Sequence, residues 1–306
     1  MLPIHFAPLQ GYTEAPYRNA HARIFGGVEA YYTPFWRVEH GQVRRKDVAD
    51  LSADSTGSVI PQIIVRDAAE FRFLVDQLHR LGHHRIDVNM GCPFPLQVKK
   101  GRGAGILQQP DNVKQVFAEM AALTDFTFSV KMRLGNTNSS EAIALLPLIN
   151  DTPLCHVTMH PRIAKQQYKG TVNLDAFAQF IDQCTHPVIY NGDITSLADI
   201  SQIKDKFPSI AGIMIGRGLL ARPSLAAEYH SGIEMHQDKL LQGIRAMHNQ
   251  ILEHYSSTLQ GDTQILTKIK TFWDYLEPTI GHRPHKFLRK SSSLTKYVDS
   301  LRSITN

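Results

Sequence analysis

Along residues 1–230, short apolar and β-branched runs alternate with longer stretches whose apolar residues recur at helical spacing. The runs predict strands at residues 4–8, 30–35, 59–64, 85–89, 127–132, 154–160, 187–191 and 212–216. Helices are predicted between them, for example over 68–81, 112–123, 174–184 and 197–207, with start signals at Pro110-Asp111 and Thr195-Ser196. Eight strands alternating with helices imply parallel pairing, and eight is the number that closes a (β/α)₈ TIM barrel. An open doubly wound sheet is the second choice, but no glycine-rich fingerprint follows the first strand.

Beyond residue 232 the strand pattern stops. Amphipathic spacing predicts helices over 235–259 and 263–276, then two shorter ones over 284–290 and 294–303. The expected organisation is a barrel domain at 1–232 and a small all-α domain at 233–306.

Charge sharpens that division. Residues 236–306 hold ten Lys/Arg against six Asp/Glu, whereas residues 1–235 hold 23 against 22. Arg283, Lys286, Arg289, Lys290 and Lys296 lie in a stretch without a carboxylate, a pattern that attracts polyanions through phosphate neutralisation. A solvated helix face is the ordinary alternative. The 42% hydrophobic and 20% charged residues exclude a disordered chain. Cys92, Cys155 and Cys184 are too few and too scattered for a disulfide framework or a metal site, so a reducing, cytoplasmic setting is expected. The opening MLPIHFAPLQ lacks secretory character, and no apolar run is long enough to predict a membrane span.

In such barrels chemistry gathers at the carboxyl ends of the strands. There the chain places Pro8-Leu9-Gln10, Gln62, Asn89 with Gly91-Cys92-Pro93, Lys131 and Arg133, His160 and Arg162, Asn191-Gly192-Asp193, and Gly216-Arg217-Gly218. Any one of these could cap a helix or satisfy a core; together they describe a polar mouth. The last two groups follow strands seven and eight, where barrels commonly hold phosphate on glycine amides and an arginine fork. Cys92 sits in a strand-end turn that leads into Lys99-Lys100-Gly101-Arg102-Gly103-Ala104-Gly105, a basic glycine-rich stretch expected to form a mobile lid. Its thiol could serve as a general acid, or as a nucleophile if His160 lay beside it. The three close glycines do not follow a strand and lack the spacing of a dinucleotide fingerprint.

The segments Ala7 to Glu14 with Tyr17-Arg18, Asn89-Met90-Gly91-Cys92-Pro93, Lys131-Met132-Arg133, His160-Pro161-Arg162, Asn191-Gly192-Asp193-Ile194 and Ile215-Gly216-Arg217-Gly218 resemble the tRNA-dihydrouridine synthases. The resemblance runs in order along the barrel and includes the helical tail. It implies an FMN-bearing barrel, a helical RNA-binding domain and NADPH-driven reduction of a tRNA uridine to 5,6-dihydrouridine, with no metal and no membrane. By matching motif, Pro8, Leu9, Gln10, Gln62, Lys131 and His160 would face the flavin. Asn191, Gly192, Asp193, Gly216 and Arg217 would hold its ribityl and phosphate groups. Asn89, Arg133, Arg162 and Tyr168 would face the uracil. Hydride would reach C6 from reduced flavin, and Cys92 would supply the proton to C5. Lys99, Lys100, Arg102, Arg283, Lys286, Arg289 and Lys290 would contact tRNA.

Three other readings compete. A barrel acting on a free pyrimidine, like the dihydroorotate dehydrogenases, would not require the basic tail. An inactive RNA-binding barrel would not be expected to keep Cys92, Lys131, His160 and Arg217 together. A sugar-phosphate aldolase or isomerase barrel would use Lys131 to form a Schiff base.

Overall fold

The computed structural model of the protein describes residues 1–52 and 56–301. Its parallel strands fall where the apolar runs predict them: β1 (Ile4–Phe6), β2 (Ala30–Tyr32), β3 (Val59–Ile60 with Gln62–Ile63), β4 (Arg85–Met90), β5 (Thr127–Gly135), β6 (Leu154–Ile163), β7 (Val188–Asn191) and β8 (Gly212–Ile215). Pairing runs from β2 through β1, β8, β7, β6 and β5 to β4. Pro61 splits β3 because it has no N–H to add to a ladder. The first half pairs with β2 at Tyr31 and Val59, and the second with β4 at Gln62 and Asp87. That strand therefore closes the ring, and the fold is a (β/α)₈ TIM barrel.

Helices begin where side chains can satisfy their first N–H groups. Asp67 accepts from Glu70 N at 2.8 Å and Asn173 from Ala176 N at 2.9 Å, while Ser196 and Asp199 cap one another's backbone. These caps open the helices Ala68–Arg80, Leu174–Gln183 and Leu197–Lys206, each ending within one residue of its expected position.

The barrel interior is not uniform. β4 reads Arg85-Ile86-Asp87-Val88-Asn89-Met90, and β5 alternates in the same way through Ser129, Lys131 and Arg133. Because side chains alternate across a strand, the apolar members pack outward with helix residues such as Phe71 and Val116, and the polar members point inward. On the other side of the barrel the inner layer is apolar, built from Ala7, Ala30, Ile60, Ile189 and Met214 around Tyr32.

Beyond the barrel come helices Gln237–Thr258, Asp262–Lys270, Glu277–Ile280, His282–Lys290 and Leu294–Leu301. The expected end of the last one, Ser303, lies outside the described residues. This helical region shares the barrel's apolar core, with Trp273, Leu288 and Tyr297 buried. Polar ties reinforce the contact: Lys268 pairs with Glu14 at 2.9 Å, and Tyr12 donates to Asp274 at 3.0 Å.

Two short elements escape the periodicity. A hairpin, Val38–Glu39 with Gln42–Val43, turns through His40 and Gly41, both at positive φ. Helix Pro95–Lys99 and a 3₁₀ turn, Gly103–Gln108, occupy the expected lid.

Candidate active site at the carboxyl ends of the strands

A cavity of about 1200 Å³ opens at the carboxyl ends of the strands. Its wall takes residues from every quarter of the barrel: Pro8, Leu9 and Gln10 after β1, Asn89 and Cys92 at β4, Lys131 and Arg133 on β5, and His160 on β6. Asn191, Gly192 and Asp193 follow from β7, and Gly216 and Arg217 from β8. Tyr168 joins from the loop after β6. The helical region contributes as well, through Tyr275 and Pro278, and the hairpin segment brings Arg37. Sequence reasoning missed these last three, which reach the mouth only through tertiary packing.

Lys131 donates to Asn191 Oδ1 at 2.8 Å, and Asn191 Nδ2 donates to the Met214 carbonyl at 2.8 Å. The asparagine is thus oriented with its oxygen toward the ammonium. Burial, then the neighbouring Arg133, lowers the Lys131 pKa to about 8, so it remains cationic at neutral pH. Arg133 anchors on the carbonyls of Ile163 at 3.1 Å and Gln167 at 2.8 Å. The Tyr168 ring lies under two guanidinium groups, Arg217 at 4.4 Å and Arg133 at 5.6 Å.

Burial pushes the Cys92 thiol above its ordinary pKa, against the pull of the Phe94 backbone and of Arg133 and Lys131. At neutral pH it is a thiol and not a thiolate. His160 is held well below the usual imidazole range by burial and by the surrounding cations. Its Nε2 lies 3.2 Å from Arg162, and because arginine only donates, that nitrogen accepts. Its lone pair is therefore engaged by Arg162.

Four expectations are corrected. Gln62 does not line the cavity: it is fully buried beneath the wall, donating to Asp87 at 2.7 Å and accepting from Asn89 at 2.8 Å. Arg162 is likewise buried below the surface, held by both oxygens of Asp193 at 2.9 and 2.5 Å and by the Gly170 carbonyl. Arg102 is 3% exposed and cannot meet a phosphate. It pairs with Glu70 and donates to the Val38 carbonyl at 3.0 Å, pinning the hairpin beside Arg37. The expected mobile lid is a packed floor: residues 101–107 are buried, and a Cβ at Gly103 would fall 2.7 Å from the Cys92 carbonyl.

The remaining basic residues divide. Lys99, Lys100, Arg283, Lys286 and Lys290 are exposed. Arg289 is exposed too, but its guanidinium pairs with Asp274. Asp87 and Ser129, buried under the mouth, were not anticipated. The signal was present in the strict polar–apolar alternation of β4 and β5, which departs from the near-continuous apolar runs expected of strands covered on both faces.

Comparison with known proteins places this cavity. The profile of the family described as Dihydrouridine synthase (Dus) matches residues 5–297. This chain belongs to the dihydrouridine synthase family.

Among its relatives, a probable tRNA-dihydrouridine synthase of Rhodobacter capsulatus is 28% identical over 84% of this chain and 80% of its own length. A tRNA-dihydrouridine(16) synthase of Neisseria meningitidis is 29% identical over 74% of this chain and 70% of its own. Among solved structures, morphinone reductase in complex with tetrahydroNAD superposes with a TM-score of 0.54 at 10% identity, over 76% of this chain and 87% of that one. At that identity the likeness speaks for the barrel fold alone.

The cavity of this dihydrouridine synthase suits a flavin by the chemistry of its lining residues. An apolar strip (Ala7, Pro8, Leu9, Met214) runs beside an enclosed cation at Lys131. Gly216 lines the cavity beside Ala7 and Leu9, where it adds no side chain to the wall. Arg217, half-exposed beside Asp193, supplies a guanidinium for a phosphate. Among the described residues no group of His, Cys, Asp and Glu could hold a metal ion, and no helix is long and apolar enough to cross a membrane.

Proposed function

We propose a division of labour in this cavity for the reaction of the family. The chain is a flavin-dependent oxidoreductase that reduces a uridine of tRNA to 5,6-dihydrouridine. The observation that carries the assignment of roles is one cavity wall holding both a protonated thiol, Cys92, and an enclosed cation, Lys131.

When bound, FMN reduced by NADPH would supply the hydride chemistry that saturates the uracil at C6. Cys92 donates the proton to C5; a thiol kept neutral by burial is suited to that step and poorly suited to nucleophilic attack. Asn89 and Arg133 direct hydrogen-bond donors and positive charge at the uracil oxygens, where negative charge gathers as the C5=C6 bond is saturated. Lys131 would set its ammonium toward a bound flavin, where a cation would favour the anionic reduced form. Pro8, Leu9 and Gln10 would flank the ring system, His160 would contribute a neutral imidazole, and Asn191, Gly192, Gly216 and Arg217 would hold the ribityl phosphate. Asp193 aims Arg217 and Arg162; as a carboxylate it does not itself contact the phosphate. Tyr168 offers the base an aromatic face at the rim.

Residues 1–232 carry the chemistry, and residues 233–306 hold tRNA through Arg283, Lys286 and Lys290, with Lys99 and Lys100 on the barrel side. The target base must leave its stack to reach the cavity, which such contacts would help to offset. The enzyme acts in the cytoplasm, where tRNA and a reducing setting for its three free cysteines coincide.

The test is spectroscopic. Purified protein charged with FMN is expected to be yellow, to bleach with NADPH in excess over NADH, and to regain colour on adding tRNA that lacks dihydrouridine. Protein that takes up no FMN, or reduced protein that tRNA does not reoxidise, would overturn the assignment.

A further inference from the structure

The buried polar chain beneath Cys92 has a direction. At its lower end stands Asp87, fully buried on β4 and absent from the cavity wall. Its carboxylate receives the Ser129 hydroxyl at 2.6 Å and the Gln62 amide nitrogen at 2.7 Å. An ionised carboxylate only accepts, so Gln62 must turn its nitrogen downward and its oxygen up. That oxygen takes the Asn89 amide nitrogen at 2.8 Å. Asn89 is left with its oxygen facing the turn, where it accepts from Gly91 N at 3.0 Å and Cys92 N at 2.8 Å. Each amide could be rotated by half a turn with almost no change of shape. Both ends of the chain demand the same orientation, the acceptor-only carboxylate below and the two main-chain N–H donors above, and the reverse one would set an NH₂ group of Asn89 against those donors.

We propose that Asp87 is a positioning residue: by accepting at the foot of the Gln62–Asn89 chain it completes the polarity that the Gly91 and Cys92 N–H groups require at its head, and so holds the turn that carries Cys92. The inference rests on the role of Cys92 assigned above, but its geometry concerns the turn alone. The charged and titratable groups facing Asp87 are Lys131 from β5, Arg85 on its own strand and Tyr32 from β2, with Cys155 of β6 also within electrostatic reach. Burial raises the Asp87 carboxyl to about 6, opposed by Ser129, Gln62 and the two cations, so it is ionised at pH 8 and gains a proton toward pH 5. A protonated Asp87 is a weaker acceptor and can donate, and the chain then loses the firm lower anchor that seats Asn89 against the turn.

The experiment uses FMN-loaded protein and measures the rate of Cys92 alkylation by iodoacetamide, mapped by peptide mass with Cys184 as internal reference. Asp87→Asn keeps the shape but can donate. It is expected to raise Cys92 alkylation about tenfold at pH 8, as the turn loses its acceptor. NADPH should still reduce the flavin within about twofold of the wild-type rate, while reoxidation by tRNA slows about tenfold. The ratio of variant to wild-type alkylation should fall toward one near pH 5, where the wild type takes up its own proton. A merely structural role would leave that ratio independent of pH. Gln62→Met severs the chain while keeping Asp87 and Lys131, and it is expected to reproduce the Cys92 effect; it also serves if Asp87→Asn does not fold. Wild-type alkylation in either variant, or an effect in Asp87→Asn that Gln62→Met lacks, overturns the proposal. Alkylation reports the turn whether or not Cys92 is the acid, so a Cys92→Ala enzyme with full turnover would remove that role and leave this result standing.

Discussion

The barrel encloses two polar clusters, one under the mouth and one nearer the amino-terminal end, and they are built on opposite principles. The lower one joins His5, Tyr32 and His156: His5 Nδ1 and Tyr32 share a hydrogen bond at 3.0 Å, Tyr32 and His156 Nε2 another at 3.3 Å, and Cys155 lies 3.3 Å from His156 Nδ1. Burial holds His5 at about 4 and His156 at about 3 and pushes Tyr32 well above its ordinary value, so all three are neutral. The upper cluster keeps its charges. Asp87, Lys131 and Arg133 all remain ionised at neutral pH on two adjacent strands. Isolated buried charge is costly, so a protein that only needs to fill space sheds it by shifting pKa, as the lower cluster does. Charge retained at the mouth marks the layer where reacting groups are to be steadied. Both clusters are satisfied by hydrogen bonds; what separates them is ionisation.

The contrast is tested most severely at Cys92. Replacement by Ala should cut tRNA-driven flavin reoxidation at least about a hundredfold while reduction by NADPH is kept, the span of a lost general acid. Stopped-flow traces of the two half-reactions would resolve this, and equal loss in both would place the thiol elsewhere in the chemistry. Next comes the support beneath it. Arg102→Ala strands the Glu70 carboxylate, which is 6% exposed, and should lower unfolding free energy by about 3 kcal/mol, read from the urea midpoint. A drop below about 1 kcal/mol would mean that Arg66, 3.3 Å from Glu70, takes over the pairing.

Smaller effects are expected at the surface and at the lower cluster. Replacing Arg283, Lys286 and Lys290 together by Ala should weaken tRNA binding about tenfold and leave FMN affinity unchanged. The slope of log affinity against log salt should then fall by about 0.7–0.9 for each phosphate no longer neutralised. At the lower cluster the sign of the pH effect follows from the depressed histidine values. Above about pH 6.5 both states are neutral and their stability contribution is complete. As pH falls toward 4 the unfolded chain binds protons first, and stability drops by up to about 1.4 kcal/mol per pH unit for each histidine. Asp87 acts in the opposite sense, since its raised value lets the folded state take a proton first below about 6. His156→Gln should flatten the acid limb of urea midpoints without altering turnover; an unchanged limb would mean that the lower cluster is not what titrates.

Much of this molecule could be read from its residues in order. Strand and helix are local properties, set by apolar spacing, turn residues and caps, and every expected barrel strand was found. The Cys92 turn, the glycines after β7 and β8 and the cations of β5 are placed at the mouth by the strand count alone, because a barrel sends the carboxyl ends of all its strands to one face. What could not be read was the partner of each charge. Arg102, Arg133, Arg162 and Arg217 look alike in a sequence, yet Glu70 holds the first at a separation of 32 residues and Asp193 the third at 31. Arg133 keeps a place on the cavity wall because carbonyls set its position, and Arg217 because its pairing with Asp193 leaves it half-exposed over the Tyr168 ring. The glycines after Cys92 read as mobility and turned out to be close packing, since glycine permits both and only the neighbour decides. Periodicity therefore determined the architecture and the address of the chemistry. The tertiary structure decided which side chains are free to act there, since an ion pair depends on distances through space that no spacing along the chain encodes.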